Sequence, residues 1–156
     1  MQPLSAAGAV AHGPGDARWP VSLVLTLPGE RQALEPARLA VRDFLAPHSL
    51  SAQALFNVEL VLEEALMNVV WHALHSAPGH HIGLQVQVER DHIVVQVDDD
   101  GIAFDPLQAV ALPRPASIAD AQPGGLGLQL VRQRASSLAY ARRDGRNCLR
   151  IGIARI

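Results

Sequence analysis

The sequence predicts an α+β fold: a two-layer α/β sandwich with a mixed, mostly antiparallel sheet and its helices gathered on one face. Three observations lead there. Short alternating segments come as hairpins, with Ile82 to Val88 and Ile93 to Val97 on either side of Arg90-Asp91, and Ala139 to Arg142 and Asn147 to Ile153 flanking Asp144-Gly145. Two longer segments, Arg31 to Leu45 and Ser51 to about His75, carry apolar residues at helical spacing. The elements do not alternate strand and helix as a doubly wound parallel sheet requires.

Taken in order, residues 1–19 are rich in Ala, Gly and Pro without periodicity and read as a flexible N-terminal tail, which leaves residues 20–156 as the domain. Val21 to Leu27 alternates as a first strand, and Pro28-Gly29-Glu30 turns the chain into a helix carrying apolar residues at Leu34, Ala37, Leu39, Ala40, Val41, Phe44 and Leu45. Pro47 stops that helix, and Ser51 is placed to cap the next. Ala77-Pro78-Gly79 separates this second helix from the hairpin. Residues 107–123 hold Pro113, Pro115 and Pro123 with little periodicity, a connection long enough to serve as a lid or binding loop. A glycine-rich run, Gly124-Gly125-Leu126-Gly127-Leu128, then leads into a helix expected after Gly127, with Leu128, Leu130, Val131 and Leu138 as its apolar positions.

Composition narrows the function. With 156 residues and 49% apolar content, the chain suits one globular domain with a substantial core. A net charge of −2 and scattered basic residues give no general attraction to nucleic acid or an anionic membrane, so neither is expected as a direct partner. Every basic residue is Arg, so the lysine of a Walker-type phosphate loop is missing. The lone Cys148 excludes an internal disulfide and a thiolate zinc cluster. No basic leader or apolar run of transmembrane length is present, and a soluble, cytoplasmic protein is expected.

The chemistry concentrates in three places. In Glu64-Ala-Leu-Met-Asn68-Val-Val-Trp-His72, a carboxylate, an amide and an imidazole stand at i, i+4 and i+8 of one helix, about 6 Å apart along its axis, and line one narrow stripe. Such groups on an apolar helix must be hydrogen-bonded, metal-bound or open to a cleft. Glu63 points about 100° away and takes no part unless the helix register is off by one, in which case it exchanges roles with Glu64. The second place is Asp98-Asp99-Asp100-Gly101-Ile102-Ala103-Phe104-Asp105-Pro106, an acidic turn ending a strand, where Asp98 and Asp100 face away from Asp99 and are expected in solvent. The third is the glycine-rich run itself, whose backbone amides and following helix N-terminus suit phosphate.

Those motifs, in this order, resemble the Bergerat-fold, histidine-kinase-like (GHKL) ATPase domains, and more narrowly the anti-sigma-factor serine kinases of bacterial partner switching. The match runs over about residues 20–156, on Glu64-x3-Asn68-x3-His72, Asp99-x-Gly101-x-x-Phe104-Asp105-Pro106 and Gly124-Gly125-Leu126-Gly127-Leu128. The resemblance implies ATP and Mg²⁺ as cofactors, Glu64 as catalytic base, Asn68 as magnesium ligand and Asp99 as the reader of adenine. It further implies a nucleotide site that includes His72, Gly101, Ala103, Phe104, Gly124, Gly125, Leu126, Gly127 and Leu128. A magnesium shell of one side-chain oxygen, phosphate and water is chemically reasonable, and a carboxylate one turn away can take the proton of an attacking hydroxyl. His72 also admits a structural reading. The other histidines, His80 among them, read as surface or turn residues. Residues 107–122 would form the lid, with Arg114 its fixed positive charge, facing phosphate, partner or solvent.

Two departures from the family pattern stand out: Ala103 where many members have a second glycine, and Cys148 at the expected place of a pocket threonine. The implied function is that of an ATP-dependent protein serine/threonine kinase. It would phosphorylate a STAS-domain anti-anti-sigma protein and sequester a sigma factor, as a homodimer. The alternative is a nucleotide-responsive, protein-binding regulator without phosphotransfer. A histidine-kinase fragment or a hydrolysis-driven machine is not expected, because no phospho-accepting helix pair or transducer domain is found in the chain.

Overall fold

The computed structural model describes residues 5–6, 19–75, 77–108 and 125–156, with backbone alone for 5–6 and 125–127. Alternation in each strand sends one set of side chains to a single core. In β2 (Val21–Pro28), Leu23, Leu25 and Leu27 are buried while Val24 and Thr26 face out; β3 (His81–Val88) likewise buries Ile82, Leu84, Val86 and Val88. β4 (His92–Asp99) adds Ile93, Val95 and Val97, and β6 (Arg146–Ala154) adds Leu149, Ile151 and Ile153. Each fully buried Leu or Ile contributes about 2 kcal/mol by leaving water. The opposite face carries Gln85, Gln96 and Arg150 side by side across β3, β4 and β6, with Arg150 donating to Gln96 Oε1 at 3.3 Å.

The strand order is β1-β2-β3-β4-β6-β5, where β1 is Ser5–Ala6 and β5 is Ser137–Arg143. Every pairing among the described residues is antiparallel, so the sheet is more uniform than the mixed, mostly antiparallel one expected. The reason is topological: the chain leaves β2 through two helices and returns to pair with β2 itself, closing the same kind of ladder as the true hairpins. The stretch read as a flexible tail contributes the two-residue β1, with Ser5 opposite Thr26 and Ala6 opposite Leu25.

The helices lie on the core face. A 3₁₀ turn at Arg31–Ala33 leads into α1 (Leu34–Leu45), which buries Ala37, Val41 and Leu45, one residue per turn. Pro47 lies in a closing 3₁₀ turn, and Ser49 reverses the chain at φ 51°. Ser51 caps α2 (Ala52–Asn68) as expected, its Oγ accepting from Ala54 N at 3.0 Å, a contact that stabilises the helix by about 1 kcal/mol. Val58, Val61, Leu62, Ala65 and Leu66 form the buried stripe of α2, which packs against α1, α3, β4 and β6. The helix then widens into a π turn, Val69–Ala73, closed by Leu74 N donating to Val69 O at 2.9 Å.

α3 (Gly125–Arg134) differs from its expected extent: it already includes Gly125 and Gly127, and it stops before Leu138, which belongs to β5 and packs against the core from there. Ala135 N closes the last turn on Val131 O at 2.8 Å, and the next amide, Ser136 N, donates to Gly152 O at 2.8 Å, pulling the chain into the sheet. Apolar spacing alone does not distinguish Leu138 on a helix from Leu138 on an edge strand.

Candidate functional site

The site lies where the C-terminal half of α2 meets the ends of β4 and β6. Glu64 is half-buried on α2, and burial, followed by the neighbouring Glu63 charge, pushes its carboxyl above the ordinary range. Glu63 itself is exposed and turns toward α1, bordering a hollow of about 160 Å³ with Leu34, Arg38 and Leu62. One turn beyond Glu64, Asn68 is only 3% exposed, and neither its Oδ1 nor its Nδ2 finds a partner among the described residues. Leaving such an amide unpaired costs about 1–3 kcal/mol, a cost folding does not ordinarily retain without a ligand to satisfy it.

His72 sits in the π turn, and its ring stacks on Phe104 with centroids 4.9 Å apart and planes 13° from parallel. The wide turn therefore joins α2 to the acidic loop. Ile102 N donates to Ala73 O at 3.0 Å, and Gly101 lies so close to the Ala73 carbonyl that a Cβ there would collide with it. Glycine at 101 thus serves a close approach between backbones.

Asp99, the last residue of β4, is 2% exposed. Its Oδ1 accepts from Gly101 N at 2.9 Å and from Asn147 Nδ2 at 3.0 Å. Burial raises its pKa, the bonds from Asn147 and Gly101 pull it back, Asp100 pushes it up and Arg146 draws it down. The two flanking acids are paired, although the sequence suggests solvation: Asp98 meets Arg146 Nη2 at 2.5 Å on the outer face, and Asp100 meets His80 Nδ1 at 2.9 Å, a bond that lowers the Asp100 pKa. His80 is thereby more than a surface residue, and its carbonyl also accepts from Gly29 N at 2.8 Å.

Sequence reading missed Asn147. In the β4–β6 register Asn147 stands opposite Asp99 and Cys148 opposite Asp98, so the expectation that Cys148 occupies the pocket strand position is overturned; its side chain lies on the outer face, beyond the sheet from the site. The missed signal is parity: Asn147 shares the inward phase of Leu149, Ile151 and Ile153, while Cys148 shares that of Arg150. Tyr140 and Arg142 on β5 complete the cluster, both donating to Asn147 Oδ1, Arg142 at 3.0 Å.

Of the other expected positions, Ala103 is exposed and Phe104 and Leu128 are half-buried. Gly125, Leu126 and Gly127 form the first turn of α3, where unpaired amides suit an anion. Gly124 and Arg114 lie outside the described residues. A long helix whose Asn68 amide has no partner among the described residues, a buried acid at a strand end and a helix that starts on glycines make up the candidate site of this α/β sandwich.

The chain belongs to the family described as the histidine kinase-like ATPase domain, which it matches over residues 27–153. It is 44% identical over 101 residues to the serine/threonine-protein kinase BtrW of Bordetella bronchiseptica, covering 64% of this chain and 70% of that protein. An anti-sigma F factor of Oceanobacillus iheyensis is 23% identical over 111 residues, 71% of this chain and 75% of its own. Among solved structures, the SiaB-SiaC complex from Pseudomonas aeruginosa matches with a TM-score of 0.58 at 20% identity, over 85% of this chain and 89% of that one, and shows the same fold.

Proposed function

We propose that this protein is an ATP-dependent protein serine/threonine kinase of partner switching. It phosphorylates a STAS-type anti-anti-sigma protein and sequesters a sigma factor, acting as a cytoplasmic homodimer. The observation that carries the reading is the buried amide of Asn68, without a partner among the described residues, one helical turn from the half-buried Glu64. The family and the kinase names of the sequence relatives support it.

In this reading Asp99 accepts a hydrogen bond from the adenine amino group, a contact guanine cannot return. The first turn of α3 faces the phosphates with its amides. Asn68 is the residue that would hold Mg²⁺, and the chemistry of the site fits, since its Oδ1 is a hard donor with no partner among the described residues; a bound ion would supply charge neutralisation on the phosphates. The partner's serine oxygen forms its bond to the γ-phosphorus as the bond to the ADP oxygen breaks, and Glu64 takes the serine proton. Its raised pKa makes Glu64 a stronger base than an exposed carboxylate. No helix among the described residues is long and apolar enough to cross a membrane.

The test combines calorimetry with transfer of labelled γ-phosphate to a STAS protein. ATP and ADP are expected to bind in a Mg²⁺-dependent way that Asn68→Ala weakens. Glu64→Ala is expected to lower phosphotransfer by about 100-fold or more while nucleotide affinity stays within about threefold. Full partner control by a transfer-dead Glu64→Ala protein would instead favour the regulator that binds nucleotide without phosphotransfer.

A further inference from the structure

We propose that Asn147 is a positioning residue that orients the Asp99 carboxylate toward adenine and so sets the preference for adenine nucleotides. The inference rests on the reading of Asp99 as the adenine contact. Asn147 is 4% exposed and uses its whole amide inside the protein. Nδ2 donates to Asp99 Oδ1 at 3.0 Å and to Ile102 O at 2.7 Å; Oδ1 accepts from Phe104 N at 3.3 Å, from Arg142 Nη1 at 3.0 Å and from the Tyr140 hydroxyl. The amide's orientation follows from its partners, because a carboxylate and a carbonyl accept only, while an amide N–H and a guanidinium donate only.

Two consequences follow from this wiring. First, the bonds from Asn147 and Gly101 N both fall on Oδ1 of Asp99, so Oδ2 is the oxygen they leave to a ligand. A carboxylate gripped on one oxygen by two donors keeps a single plane, and a single plane suits one in-plane amino group rather than a range of poses. Second, Asn147 holds the segment that packs beside the base: it ties Ile102 and Phe104 to β6, and Arg142 ties Gly101 O to the same cluster at 3.1 Å. The clamp is therefore built from β6 and the edge strand β5, where the sequence points only to Cys148, whose side chain lies on the outer face. Since Asn147 is saturated within the protein, it acts through Asp99 and not by touching the base.

The measurement is the affinity of the full-length protein for ATP and for purine riboside triphosphate, which lacks only the amino group, in the same Mg²⁺ buffer from pH 5 to 8. The wild type is expected to prefer ATP by about 10-fold or more, the worth of a hydrogen bond to a charged group. In Asn147→Asp, which keeps the shape but replaces the donor with a second acid beside Asp99, the preference is expected to fall to about threefold or less, with purine riboside triphosphate affinity little changed. The groups facing Asp99 are Asn147, Asp100 and Arg146, with Arg142 behind Asn147. Losing the Asn147 donor removes the strongest of the influences that keep Asp99 ionised, so the ATP preference should disappear at a higher pH in the variant than in the wild type. A purely structural role would weaken both nucleotides alike and leave that pH dependence where it was.

Tyr140→Phe tests the same clamp without a new charge and with its ring packing kept; a drop of about two- to threefold in preference is expected, in the same direction. If the wild type prefers ATP but both variants keep its full preference and pH profile, Asn147 does not position Asp99 and the inference is overturned. If the wild type binds both triphosphates equally, the Asp99 reading falls, and this inference with it.

Discussion

The two ends of the site treat their buried polar groups in opposite ways. At the α2 end Asn68 is buried and its amide has no partner among the described residues, whereas at the strand end Asp99 and Asn147 are equally buried and held in a shared network of protein donors and acceptors. A buried amide without a protein partner is the exception in a folded chain, and under the proposed function a ligand supplies the missing bonds. A saturated cluster marks a surface shaped in advance, whose recognition costs little rearrangement on binding. Among the described residues, one end thus keeps its donor and acceptor unused, and the other has committed them within the protein.

The largest expected effect that could break this comparison is on stability. Asn147→Ala should destabilise the ligand-free protein by about 2 kcal/mol, because it strands Asp99, Ile102 O and Phe104 N, whereas Asn68→Ala should be neutral or stabilising by up to about 1 kcal/mol. Urea unfolding without nucleotide checks both; equal losses would show that Asn68 has a protein partner after all.

A smaller effect should appear in the pH dependence of stability. Burial raises the folded pKa of Asp99, so the folded state favours its protonated form, and stability falls as pH rises through that folded pKa. Asp99→Asn should match the wild type in acid and exceed it at neutral pH. Paired denaturation curves from pH 3 to 8 give the difference, and parallel curves would contradict the burial argument.

The smallest effect should come from Glu63→Gln. Removing the like charge beside Glu64 lowers the Glu64 pKa slightly, so the acid limb of phosphotransfer should move to lower pH with little change in the plateau rate. A pH–rate profile would show it.

Much of this was legible in the residues. The cap at Ser51, the strand-end turns and the stripe of Glu64 and Asn68 depend on neighbours within a few positions, and there the physics is local. Parity along β6 already placed Asn147 inward, but that phase is read reliably only once the strand has a partner. The end of α3 was not legible, because a helix and an edge strand compete for the same apolar residues and the bond from Ser136 N to Gly152 O settles the matter from another strand. The pairing of Asp98 with Arg146 and of Asp100 with His80 joins residues 48 and 20 positions apart, beyond any local pattern.

By itself, then, the sequence determined the α+β class, the hairpins and the capped central helix, since these follow from periodicity and from backbone preferences of single residues. Only the tertiary structure decided that the sheet is antiparallel throughout its described pairings, that Cys148 faces away and Asn147 faces in, and that Asp99 is clamped while Asn68 has no partner among the described residues. Those outcomes depend on which strand lies beside which, and a hydrogen bond between distant residues has no counterpart in local spacing.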